Sequence, residues 1–216
     1  MPIARVEATV SALPYMKARR AEKLQDLIVR HHLCECLELG FYHGVSSAYF
    51  AEILRDAFAK RGHLTTIDRA QALKLSPNIE QLLSRLSLTE YVTIYAEKSS
   101  FTWRLMHLIE ANPEPIFDFA YLDAGHTWDV TGFGFLLVDR LLKPGGWVVL
   151  DDLDWTHDTS PALAQRSSAL PEEERVTPQV RKVWELIVKR HTSYGDFRED
   201  GALAFARKDG PSGCMG

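Results

Sequence analysis

Phe117 to Asp152 reads FDFAYLDAGHTWDVTGFGFLLVDRLLKPGGWVVLDD, and this stretch decides the fold. Asp118 to Leu122 is an apolar run of strand length that stops at an acid, Asp123. Thr127 to Leu142 carries helical spacing, Pro144-Gly145-Gly146 marks a turn, and Trp147 to Leu150 is a second apolar strand closing on Asp151 and Asp152. If the two strands are parallel neighbours, roughly 4.8 Å apart, three carboxylates crowd one sheet edge with His126 beside them. At about 5 Å and an effective dielectric of about 20, each like-charge pair costs roughly 3 kcal/mol. Three such pairs rival the stability of an ordinary domain, on the order of 5–15 kcal/mol. Something must compensate, and a hard divalent cation is the simplest candidate.

Outward from this unit the alternation repeats. Cys34 to Leu39, Leu64 to Ile67 and Tyr91 to Tyr95 read as strands. Ser46 to Lys60, Pro77 to Leu88 (with Pro77 at the helix start) and Phe101 to Ala111 read as helices between them. Five strand–helix alternations predict an α/β protein with a doubly wound, mostly parallel sheet covered by helices on both faces. An amphipathic helix over 15–31 leads the chain, as an N-terminal helical extension over 1–32 before a catalytic domain over 33–207. Residues 153–177 are polar and without period, which suits a lid or insertion over the substrate. Val180 to His191 reads as a helix, Ser193 to Phe197 and Ala202 to Arg207 as a closing hairpin, and 208–216 as a frayed, flexible tail.

Composition narrows the class. The chain has 216 residues, 46% of them hydrophobic and 25% charged, which suits one soluble globular domain. A formal net charge of -4 argues against a nucleic-acid surface. Lys17, Arg19, Arg20 and Lys23 are expected on the solvated face of the leading helix. No long apolar run suggests a signal peptide or a membrane span, so the cytoplasm is the expected address. Three cysteines are too few for a disulfide framework, and Cys34 and Cys36 are expected as buried thiols on a core strand. Oligomeric state stays open, since the leading helix could pack on its own core or on a partner chain.

Ligands of doubly wound sheets bind beyond the carboxyl ends of the strands. The first such end is Glu38-Leu39-Gly40-Phe41-Tyr42-His43-Gly44-Val45-Ser46, where Gly40 and Gly44 permit a sharp turn and Ser46 opens a helix able to hold a carboxylate. Asp68 ends the next strand, where a carboxylate can accept ribose hydroxyls. The spacing lacks Gly-x-Gly-x-x-Gly, which disfavours a dinucleotide and suits an amino-acid nucleoside.

Taken together, these motifs resemble class I S-adenosylmethionine (SAM)-dependent methyltransferases over roughly Leu33 to Asp152. Within that family they look like the metal-dependent O-methyltransferases of the catechol and antibiotic-sugar type. The resemblance implies a Rossmann-like, seven-stranded sheet with a reversed C-terminal strand. It implies cofactor contacts from Glu38, Gly40, Phe41, Tyr42, Gly44, Ser46, Asp68, Arg69 and Asp123, with the adenine contact open between Glu97 and Ser99. It also implies a divalent ion, Mg²⁺ by preference, on Asp123, Asp151 and Asp152, with His126 as the general base. Tyr42 stands where the commonest glycine-rich loop has a glycine, as in catechol-type members.

The chemistry fits those roles: an alcohol or phenol attacks a sulfonium methyl only once its proton leaves. A divalent cation acidifies and orients that oxygen, and an imidazole can accept the proton near neutral pH. The expected acceptor is a small hydroxylated molecule, one with two neighbouring oxygens being able to chelate the ion. Trp155 is expected as a substrate wall, Trp103, Trp128 and Trp184 mostly as core, and His157 with Asp158 as a secondary acid–base pair. Three alternatives remain: a metal-independent methyltransferase acting on oxygen or nitrogen, a non-catalytic nucleoside-binding protein, and a nicotinamide dehydrogenase.

Overall fold

The computed structural model describes residues 2–14, 16–160 and 167–210. Helices α1 (Pro2–Val10) and α2 (Ala18–Arg30) precede β1 (Glu35–Leu39), α3 (Val45–Phe58), β2 (His63–Arg69), α4 (Ile79–Arg85), β3 (Val92–Glu97) and α5 (Phe101–Ala111). Then follow β4 (Phe117–Leu122), α6 (Trp128–Leu141), β5 (Leu142–Leu150), α7 (Glu172–Val176), α8 (Gln179–Leu186), β6 (Tyr194–Asp200) and β7 (Leu203–Lys208). The seven strands lie in the order β3-β2-β1-β4-β5-β7-β6. The first five are parallel; β7 runs antiparallel to β5, and β6, paired antiparallel to β7, closes the edge. This is the doubly wound sheet that the alternation predicts, with the reversed C-terminal strand that the resemblance implies.

Strand order reverses between β1 and β4, and that reversal positions the site. Pairing runs past the strand ends there: the Asp123 N–H donates to Leu39 O at 2.9 Å, and the Asp151 N–H to Leu122 O at 3.0 Å. The turns that leave β1, β4 and β5 are thereby pinned side by side at one edge.

Pleat alternation sorts the core onto two faces. Cys36, Phe119, Tyr121, Trp147 and Val149 face the side covered by α1, α2, α3 and α4. Leu37, Leu39, Ala120, Leu122, Val148 and Leu150 face the side covered by α5, α6 and α8. Helix α2 buries Ala21, Leu24, Leu27 and Ile28 against the first face, and each large aliphatic side chain so buried contributes about 1.5–3 kcal/mol. The Arg5 guanidinium pairs with Glu52 at 3.2 Å and so ties α1 to α3.

Several expectations need correcting. Helix α1 was not foreseen. Pro77 does not start a helix: the next residue, Asn78, caps α4 by accepting the Gln81 N–H at 2.9 Å while Gln81 Oε1 accepts the Asn78 N–H, so the helix begins at Ile79. The Pro144-Gly145-Gly146 segment lies inside a strand that already starts at Leu142, with a register shift opposite Phe117 and Phe119. Gly146 is needed there because a Cβ would sit 2.8 Å from Asp118 O. Lys208 is not frayed: it ends β7 and its ammonium pairs with Asp139 at 2.9 Å; residues 211–216 of the expected tail lie outside the described residues. Cys36 is a buried free thiol, whereas Cys34 is disulfide-bonded rather than a thiol. Trp184 is core, but Trp103 and Trp128 are 51% and 43% exposed. No described helix is long and apolar enough to cross a membrane.

Candidate active site at the strand-order reversal

A cleft of about 680 Å³ opens at the carboxyl ends of β1, β2, β4 and β5. One end is the turn between β1 and α3. Gly40 has φ +94° and a Cβ there would lie 2.2 Å from Asp123 O; Gly44 has φ +89° and a Cβ there would lie 2.6 Å from Ile79. Only glycine fits both places. Asp68 holds the turn from the next strand, its Oδ2 accepting the N–H groups of Phe41 at 3.0 Å and Tyr42 at 2.8 Å. Its Oδ1 accepts the Arg69 N–H at 2.6 Å, leaving that oxygen one further lone pair for a ligand hydroxyl.

Gly40, Phe41, Tyr42, Ser46, Asp68, Arg69, Ser99 and Asp123 line the cleft; Gly44 shapes the turn from behind. Glu38 lies beneath it, fully buried, with Oε2 accepting from Ser47 and, at 2.6 Å, from Thr66. Its Oε1 is buried without a partner. Burial pushes the Glu38 pKa up to about 7 against the pull of the donating hydroxyls. Glu97 is drawn away from the cleft, onto Arg104 at 2.6 Å.

The other end holds the acids. His126 Nε2 lies 3.3 Å from Asp123 Oδ1 and 3.3 Å from Asp152 Oδ2. Burial disfavours the charged ring, but the two carboxylates outweigh it and raise the imidazole pKa to about 9. Burial, together with Asp151 and Asp152, raises the Asp123 pKa against the pull of His126. Trp155 stacks on the His126 ring at 5.1 Å, and His157 meets Trp155 edge-on at 4.9 Å. His157 and Asp158 do not form a pair: His157 Nδ1 contacts Ser167 Oγ at 2.9 Å and Asp158 pairs with Arg175 at 2.8 Å.

Asp151 and Asp152 part company although adjacent. Asp151 follows the pleat of Trp147 and Val149 toward the face under α2, and its side chain is 1% exposed. There Oδ2 takes the Arg20 guanidinium at 2.6 Å and the Tyr121 hydroxyl, while Oδ1 accepts the Asp152 N–H at 2.7 Å. Asp152 has left-handed backbone, φ 57°, and a side chain 38% exposed. Asp123, His126 and Asp152 each offer one ligand atom, all within 4.8 Å of one another, so they form a set able to hold a metal ion. Arg20 and Tyr121 escaped the sequence reading: Arg20 was expected in solvent, and it lies 131 residues from its partner. The available signals were parity, which puts Tyr121 and Asp151 on one face, and the need of a buried tyrosine hydroxyl for a partner.

Fold and cleft together define a Rossmann-like SAM-dependent methyltransferase. Residues 37–153, more than half the chain, match the family described as a methyltransferase domain, and the chain belongs to that family. No curated protein matches it. Among solved structures it is similar to the O-methyltransferase TomG from Streptomyces achromogenes, involved in tomaymycin synthesis and solved with SAM. The TM-score is 0.68 at 17% identity, covering 97% of this chain and 90% of that one. An O-methyltransferase from Bacillus cereus in complex with S-adenosylhomocysteine (SAH) gives 0.65 at 18%, covering 96% and 90%. An SAH-bound methyltransferase from Podospora anserina gives 0.65 at 13%, covering 97% and 88%. At these identities the likeness establishes the fold.

Proposed function

We propose that this protein transfers the methyl group of SAM to a hydroxyl of a small molecule, with a divalent cation at its acid end and His126 as general base. One observation carries the reading: a single cleft joins a glycine turn braced by Asp68 to the Asp123–His126–Asp152 set. The methionyl carboxylate fits the opening of α3 at Ser46, where helix N–H groups lack partners. The methionyl ammonium suits Glu38, whose Oε1 lacks a donor. Asp68 Oδ1 takes a ribose hydroxyl, and Ser99, which lines the cleft where Glu97 does not, takes the adenine side.

The donor set fits a hard cation in its chemistry, with Asp123 and Asp152 offering carboxylate oxygens at the cleft wall. When bound there, Mg²⁺ would supply Lewis acidity to the acceptor oxygen and offset the negative charge of the two acids. His126 Nε2, 3.3 Å from both Asp123 and Asp152 at the cleft wall, would take the acceptor proton. Trp155 fixes the ring that does this, and its place on the cleft wall suits it to contact the acceptor.

A second reading has its own support. Arg20 and a protonated His126 offset two of the three negative charges at this end, which favours a metal-independent methyltransferase acting on oxygen or nitrogen. The two separate in one assay: methyl release from SAM onto a panel of catechols and vicinal diols, before and after exhaustive chelation and again after adding Mg²⁺. The first reading expects turnover to vanish and return while SAH binding is unchanged. Full turnover in the chelated enzyme selects the second.

A further inference from the structure

The two helical layers present different outer surfaces. Among the described residues, α5, α6 and α8 leave Trp103, Trp128, Phe133, Leu136 and Leu186 exposed, whereas α1 to α4 on the opposite face leave Val29 as their one exposed large apolar side chain. Helix α6 lies in the middle of its layer. A Cβ at Gly132 would meet Ile187, just past the end of α8, at 3.1 Å, and one at Gly134 would meet Phe101 of α5 at 3.0 Å. Phe133, between those two contacts, faces outward and is 54% exposed; Leu136, one turn on, is 46% exposed. Asp129 and Arg140 are the exposed residues one turn before and after this pair. Spacings of four, three and four residues place Asp129, Phe133, Leu136 and Arg140 on one stripe of the helix.

That stripe is its own complement. Laid antiparallel on a second copy, about a two-fold axis midway between Phe133 and Leu136, it sets Phe133 against the partner's Leu136 and Asp129 against the partner's Arg140. Neither charge is spent on an ion pair among the described residues; Asp129 Oδ1 accepts from Thr127 Oγ1 at 2.7 Å. We infer that this face is an interface between two copies of the chain, an isologous dimer paired along α6, with Trp103 and Leu186 widening the apolar contact onto the flanking helices. Several large exposed apolar side chains gathered on one layer mark an association surface. The charge pattern selects the occupant: a partner of another kind would not require an acid and a base equally far from the centre of the stripe. The dimer goes beyond the methyl-transfer reading and does not depend on it.

Sedimentation velocity of the full chain, from roughly 1 to 100 μM, tests the pairing in the range where weaker specific interfaces assemble. Wild type is expected to sediment as a dimer. Phe133→Glu, which puts a charge into both symmetry-related apolar contacts, should weaken the dimer by about a hundredfold or more. Asp129→Arg and Arg140→Asp each set like charges opposite one another at both ends of the stripe, and each alone should weaken it by about tenfold. Mixed in equal amounts, these two single variants should pair with each other within about threefold of wild-type strength, because every acid again faces a base. Rescue on mixing also shows that both variants fold. A wild-type chain that stays monomeric throughout would overturn the inference. So would a dimer that Phe133→Glu leaves intact, which would place the contact on another face, or two weakened variants that fail to rescue each other. The readout is mass, so the result leaves the methyltransferase reading to its own assay.

Discussion

At the glycine-turn end of the cleft, the site is made by main-chain atoms and by residues one strand away. The backbone N–H groups of Phe41 and Tyr42 meet Asp68, and Gly40 packs on the carbonyl of Asp123. At the acid end, side chains from α2, β4, the turn before α6 and the turn after β5 meet around shared charges. The first end is rigid because its geometry is steric. The second is a balance of charges, so its state depends on what is bound and which cation sits where. One end should respond to substitution through affinity and stability, the other through turnover.

The largest effect is expected from His126→Ala. Turnover should fall by about 10²–10⁴, the usual contribution of a positioned acid–base group, with SAH affinity within about twofold of wild type. Unchanged turnover would remove His126 from the base role; a parallel loss of SAH affinity would erase the contrast between the two ends.

Next comes Gly40→Ala, which should do the reverse. The φ of +94° and the 2.2 Å approach to Asp123 O leave no room for a methyl group. The cost should be on the order of 3 kcal/mol, combining left-handed strain with displacement of the turn. Urea unfolding and SAH calorimetry both read it, and a variant as stable as wild type with full affinity would show the turn is not steric in origin.

Glu38 yields a pH effect whose sign is fixed by burial. Its folded pKa of about 7 lies above the ordinary value, so the folded chain holds that proton more tightly than the unfolded chain. Its contribution is therefore favourable in acid and is lost as pH rises, amounting to on the order of 3 kcal/mol between about pH 4 and pH 8. Glu38→Gln should flatten that part of the stability profile, measured as unfolding midpoints across the range. Parallel profiles for the two proteins would mean Glu38 is ionised in the folded state.

The smallest effect sharpens the adenine side. Ser99→Ala should weaken SAH by about 1 kcal/mol, the worth of one hydrogen bond, whereas Glu97→Gln should leave affinity unchanged because Glu97 is spent on Arg104. Equal losses in both would place the adenine against each of them.

The same contrast explains what the sequence reveals. Strands and helices were legible wherever apolar runs alternated with periodic segments, and the acids at strand ends announced the sheet edge. Asp123, His126 and Asp152 were brought together as their spacing suggested. What escaped depended on partners far away in the chain. The crowding of carboxylates did call for a compensating cation, but part of the answer, Arg20, sits in a run of basic residues that looks like any solvated helix face. Helix α1 escaped although Pro2 stands at its first position, because no acid in the first turn reinforces that signal. Pro77 misled because Asn78, with Gln81 three residues on, is the stronger start.

A crystal structure with SAH and Mg²⁺ tests the central claim most directly. It should show the ribose at Asp68, the sulfur between the Gly40 turn and Asp123, and the ion on Asp123 and Asp152 beside His126. SAH outside this cleft, or Mg²⁺ bound away from Asp123 and Asp152, would contradict it.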